Sequence, residues 1–118
     1  MLPNIYAILR QNATVLSLVS TRIYRHGSAP QNVEKPYITW FMVFGMPELQ
    51  ISGTPDSDMD TIQVDIWSDT DQGVESLAYA ARSAFDNAGY AARIVQALRE
   101  AETRIYRISL EVDIIQSR

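Results

Sequence analysis

The sequence predicts an α+β fold: a mainly antiparallel sheet of about four strands with two helices packed on one face, in the order α-β-β-α-β-β. Three observations carry this expectation. Tyr106, Ile108, Leu110, Val112 and Ile114 alternate with Arg107, Ser109, Glu111 and Asp113, the period of a strand with one buried face. Val74, Leu77, Ala78, Ala81 and Phe85 recur at helical spacing. Pro36–Phe44 is apolar on both sides if extended: Ile38, Trp40, Met42 and Phe44 point one way, and Tyr37, Phe41 and Val43 the other, interrupted only by Thr39. Two helices cover about one sheet face, so the second face of that strand calls for cover from elsewhere, such as a neighbouring subunit.

In chain order, Pro3 fits a first helical turn, and Ile5, Ile8, Leu9, Leu16 and Val19 outline an amphipathic helix broken near Asn12-Ala13-Thr14. Ile23 and Tyr24 begin a short extended piece, followed by a loop through Gly27-Ser28-Ala29-Pro30-Gln31-Asn32 that ends at Pro36. Tyr37–Phe44 is the first full strand. Gly45-Met46-Pro47 breaks it, and the stretch to Asp60, with Gly53, Pro55 and three aspartates, predicts a flexible loop with room for a short strand near Leu49–Ile51. Thr61–Trp67 alternates again, with Ile62, Val64 and Ile66 opposite Thr61, Gln63 and Asp65. Ser68–Asp71 supplies capping oxygens for the second helix, which Asn87-Ala88-Gly89 ends; its small Ala78 and Ala81 allow close approach to the sheet. Ala91–Leu98 fits helix or strand, and a strand is preferred because Arg99–Thr103 then turns into the final strand.

At 118 residues the chain is expected to be one domain, burying roughly two-thirds of the surface its unfolded form exposes. Its 47% hydrophobic and 20% charged content is that of a soluble globular protein, and no apolar run approaches the ~20 residues of a membrane span. Met1-Leu2-Pro3-Asn4 shows no cationic segment leading into an apolar stretch, so an intracellular start is expected. With no cysteine there is no disulfide framework, thiolate nucleophile or cysteine zinc site.

The net charge of −4 is unevenly spread. No Lys or Arg lies between Lys35 and Arg82, an interval holding Glu48, Asp56, Asp58, Asp60, Asp65, Asp69, Asp71 and Glu75. Such a block serves either as a solvated surface or as a repulsive wall facing a polyanion. It has no cations to exchange for the counterions condensed on DNA, so direct DNA recognition is not expected.

Catalytic constellations are largely missing. His26, the single histidine, stands beside Gly27 in a predicted surface loop, and there is no nucleophile elbow, phosphate-binding glycine loop or zinc-binding helix motif. Asp56-Ser57-Asp58-Met59-Asp60 imitates the opening of a calcium loop, but Thr61 replaces the required glycine and Trp67 the bidentate glutamate. Asp65, Glu111 and Asp113 form a carboxylate cluster only if their strands pair, with Arg107 as the expected cross-strand partner. Trp40 and Trp67 stand among aliphatic residues and read as core; base stacking would want a basic groove beside them. No metal, cofactor or enzymatic activity is expected.

Ile23-Tyr24, Pro36-Tyr37-Ile38-Thr39-Trp40, Gln63-Val64-Asp65-Ile66-Trp67-Ser68, Ala80-Ala81-Arg82-Ser83-Ala84-Phe85 and Tyr106-Arg107-Ile108-Ser109-Leu110-Glu111-Val112 together resemble tail completion proteins of long-tailed bacteriophages. The likeness runs in the same order over nearly the whole chain. It implies a small α+β structural protein of the virion, assembled in the host cytoplasm, that forms a ring, commonly a hexamer, at the head-proximal end of the tail. There it would end tail-tube growth or join tail to head. The implied partners are further copies of itself, the tail tube protein and the head-tail connector protein, with DNA only in transit and no membrane contact.

Set beside this resemblance, the apolar strand and the loop after it nominate Trp40, Met42, Phe44, Met46, Leu49 and Ile51 as the subunit and partner interface. Asp56, Asp58 and Asp60 are the candidate acidic surface facing the DNA channel. The alternative is a small ligand- or metal-binding module that closes its loop from Gly45 to Asp60 over the ligand; an enzyme using Asp65, Glu111 or Asp113 comes third.

Overall fold

The computed structural model describes residues 3–25, 29–43 and 57–117. Asn4 and Asn12 each start a short helix. The Asn4 side chain accepts from the Ala7 amide at 3.0 Å to open α1 (Ile5–Arg10), and Asn12 accepts from Thr14 and Val15 to open α2 (Ala13–Val19). The expected break near Asn12 is therefore a second helix cap, and the predicted first helix is two helices.

Five strands form one sheet in the order β1-β2-β3-β5-β4: β1 (Ile23–Arg25), β2 (Tyr37–Val43), β3 (Ser57–Ser68), β4 (Ala92–Arg99) and β5 (Tyr106–Ser117). β1 pairs parallel with β2 and the remaining pairs are antiparallel. The short extended piece at Ile23 is thus a fifth strand, joined to an edge by three residues, too few to show alternation. Ala92–Arg99 is a strand as expected, with a bulge between Ile94 and Gln96.

β3 begins earlier than the sequence suggested. Ser57–Asp60 pair with the end of β5, Asp60 opposite Ile114, and are strand where the flexible loop was expected. Aspartate is a poor strand former, but a paired backbone neighbour overrides local preference. The rest of that loop, and the strand expected near Leu49–Ile51, lie outside the described residues.

The long helix α3 (Asp71–Asn87) is started by Thr70, whose hydroxyl accepts from the Gly73 amide at 3.0 Å. A Cβ at Gly73 would stand 2.5 Å from that oxygen and 2.8 Å from Ser68 Oγ, so the cap leaves space only for glycine. Gly89, at φ 91°, ends the helical segment. α3 packs chiefly on β5 and β3, α1 and α2 pack on α3, and α2 also reaches β2. One core results, uniting Leu9, Val15, Leu77, Ala81 and Phe85 with Ile38, Ile62, Val64, Ile66, Leu110 and Val112. No described helix is long and apolar enough to cross a membrane.

Candidate functional site

The core residues of each strand alternate with residues that stay outside that core. Tracing the register across the sheet, the outer residues fall into rows on the face that carries none of the described helices.

The first row is Tyr37, Trp67, Arg107 and Leu98. Tyr37 stacks on Trp67 with ring centroids 5.8 Å apart, and the Arg107 guanidinium lies 5.3 Å from the Trp67 centroid. Trp67 Nε1 donates to Thr39 Oγ1 at 3.0 Å, tying this row to the next. Burial, and secondarily the negative charge of Glu100, hold the Tyr37 hydroxyl above its ordinary range.

The second row, Thr39, Asp65, Ser109 and Gln96, is polar throughout. Asp65 is only 5% exposed. Its carboxylate accepts from Ser109 Oγ at 2.6 Å and from Gln63 Nε2 at 3.0 Å. A buried carboxylate with two donors is satisfied without a cation.

The third row is Phe41, Gln63, Glu111 and Arg93, and the fourth holds Val43, Thr61 and Asp113. Arg93 donates to Glu111 and to Asp113, both at 2.8 Å, fastening edge strand β4 to β5. These partners, with the Asp113 hydrogen bond foremost, hold its guanidinium further above its ordinary range. Thr61 Oγ1 donates to Asp113 at 3.0 Å. The face is therefore half-buried and apolar along β2, at Tyr37, Phe41 and Val43, and networked and polar across β3, β5 and β4.

Several expected site residues take other places. Asp65, Glu111 and Asp113 do share one face, but Asp65 is held apart by Ser109 and Gln63 while Arg93 takes the other two. No described group of three acids or histidines is arranged to hold a metal ion. Arg107 is not their partner; it reaches Trp67 and, at 4.0 Å, Glu100, because its strand position puts it one end of the sheet away.

Trp40, nominated for the interface, is 8% exposed on the helix-covered face, with the Arg25 guanidinium 5.0 Å from its ring centroid. Met42 packs against the same core. The apolar side of β2 left without helices is Tyr37, Phe41 and Val43. The period-two pattern contained that row, and its one signal was Thr39, the single polar residue of β2, which shares the face of Tyr37, Phe41 and Val43. Phe44, Met46, Leu49, Ile51, His26 and Asp56 lie outside the described residues. Of the other two expected channel acids, Asp58 is paired through its backbone with Gln116, and Asp60 is half-buried with the parity of core residue Ile62.

Fold and face together define a small α+β domain built on a sheet with helices on one side. The family model for tail completion protein gp17 matches residues 3–117, and the chain belongs to that family. It is accordingly a structural component of a phage tail, as the motif resemblance implied. A chain of the virion of a native gene transfer agent particle has the same fold, with a TM-score of 0.68 at 15% identity, covering 97% of this chain and 92% of that one. No curated protein matches the chain.

Proposed function

We propose that the protein forms a ring, six copies in number, at the head-proximal end of the tail, where it ends tube growth, joins the tail to the head, or does both. The observation that supports this reading best is the sheet itself: helices cover one face, and the half-buried Tyr37, Phe41 and Val43 on the other have none of the described helices over them. Contact with a further copy, the tail tube protein or the head-tail connector protein removes that surface from water, at about 25 cal/mol for each Å² of apolar area. The polar network beside it is already hydrogen-bonded within the chain, so little ordering is left for assembly to impose.

Electron microscopy of particles produced without this protein tests the proposal. Overlong tubes mark a terminator, and tails of normal length lying free of filled heads mark a joining protein. Complete particles with normal tails would refute both roles.

A further inference from the structure

We infer that β1 is a guard strand: pinned by Arg22, it covers the outer backbone edge of β2 and keeps two copies of the chain from joining there, edge to edge. The inference goes beyond the ring reading and does not depend on it.

An unpaired strand edge offers its N–H and C=O groups to any other strand, and folded proteins blunt such edges with charge, proline, bulges or brevity. The two sides of this sheet differ in that respect. β4, the edge on one side, carries the exposed Arg93 and Arg99 and has a bulge between Ile94 and Gln96. β2 has neither charge nor proline, and its register on β3 runs from Tyr37 to Val43 without a shift. Every position of β2 except Met42 is aromatic or β-branched. Uncharged segments of about six or seven such residues are those that pair between chains. Left at an edge, β2 would be a template for a second copy of itself.

β1 takes that edge. Ile23, Tyr24 and Arg25 pair parallel with Ile38, Thr39 and Trp40, and the Ile38 amide donates to the Arg22 carbonyl at 3.0 Å. Beyond this pairing β2 extends only over Phe41–Val43, shorter than the usual strand of about five or six residues. β1 itself offers a further chain only three residues. So short a strand needs holding, and the contacts that hold it converge on Arg22. Its Nη2 donates to the Leu18 carbonyl in the last turn of α2 at 2.8 Å, and its Nε donates to the Pro36 carbonyl at 3.1 Å, just before β2. Its Nη1 lies 3.8 Å from Glu34. One side chain thus ties α2, β1 and the approach to β2 together, while Ile23 is buried in the core and Arg25 lies over Trp40.

Arg22→Met tests this, since it keeps an aliphatic side chain and removes all three contacts of the guanidinium. Full-length variant and parent, without tail tubes, are compared by hydrogen exchange, light scattering and thioflavin T binding. Exchange at the Ile38 amide should rise about tenfold, while the Val64 and Leu110 amides of the middle strands exchange as in the parent. The variant should also form aggregates that scatter light and bind the dye. Adding Val43→Lys to Arg22→Met puts a charge on the uncovered strand and should return the protein to the size of the parent.

Fast exchange at Ile38 without aggregation overturns the guard, because the uncovered edge then attracts nothing. Aggregation that survives Val43→Lys assigns the adhesive surface elsewhere and overturns it as well. Exchange unchanged at Ile38 shows that Arg22 does not hold β1, and exchange quickened equally at Val64 and Leu110 shows that it holds the whole fold. Either result removes the inference. With no tail tubes present, none of these outcomes bears on the ring.

Discussion

The two faces of the sheet are made by the same strands, residue by residue in alternation, and they solve different problems. On the helix side, Ile62, Val64 and Ile66 of β3 face the same way as Leu110 and Val112 of β5, and all five are fully buried. On the other side the intervening positions are Gln63, Asp65, Trp67, Ser109 and Glu111: Asp65 accepts from Gln63 and Ser109, Trp67 stacks on Tyr37 and donates to Thr39, and Glu111 accepts from Arg93. The first face derives its stability from removing hydrocarbon from water. The second remains stable beside water because its polar groups already have partners, and it leaves an apolar strip along β2 for contact. One face thus secures the fold, and the other is the one the proposed ring would use.

The sharpest way to break that comparison is to truncate one aromatic on each side. Phe85 is fully buried between α3 and the sheet, and Phe85→Ala should cost about 3–5 kcal/mol in urea denaturation through lost burial and the cavity left behind. Phe41 is half-buried on the helix-free face, and Phe41→Ala should cost about 1 kcal/mol or less while reducing assembly on tail tubes. Equal losses of stability would show that both faces are sealed within one chain, and the division of labour would be wrong.

How much of this was legible beforehand follows the same division. The clean alternation of Thr61–Trp67 and Tyr106–Ile114 and the helical spacing from Val74 to Phe85 specify the buried face, because a single missed period would expose aliphatic side chains to water. β1 was harder to see, since three residues leave no period and its parallel partner is set by packing rather than by a turn. Trp40 and Trp67 both read as core from their aliphatic neighbours, which holds for Trp40 and undoes its nomination for the interface, but fails for Trp67, whose strand parity puts it in the outer row stacked on Tyr37. Arg93 was invisible as the partner of Glu111 and Asp113 because that pairing depends on the register of β4 on β5, which includes a bulge. Residue type suggested Arg107 for the task, and strand position gave it to Trp67.

A smaller effect sharpens the account of the helix-free face. If its polar middle is stable because it is satisfied, removing the acceptor should cost more than an ordinary surface change. Asp65→Ala leaves the Ser109 hydroxyl and a Gln63 amide proton without their partner in a site only 5% exposed. The expected loss is about 1–3 kcal/mol by urea denaturation, with Asp65→Asn losing less because its amide oxygen still accepts. An Asp65→Ala protein as stable as the parent would mean that water reaches these groups and that the row is not a structural element.

The least of the expected effects concerns how dry the aromatic end of that face is. Tyr37 is held above its ordinary value of 10.0, first by burial and second by the negative charge of Glu100. Below that ordinary value, folded and unfolded chains both keep the phenolic proton, and the contribution of this site to stability is fully present. As pH rises from there through the raised native value, the unfolded chain releases its proton while the folded chain still holds it, so stability falls. Tyr37→Phe keeps the ring that stacks on Trp67 and abolishes the titration. Its urea midpoint should therefore decline less than that of the parent between about pH 9.5 and pH 11.5. Glu100→Gln, which removes the second cause, should lie between the two. Parallel declines for the parent and the Phe variant would place the Tyr37 hydroxyl in water, and the stack would then be an ornament of the sheet end rather than part of its half-buried strip.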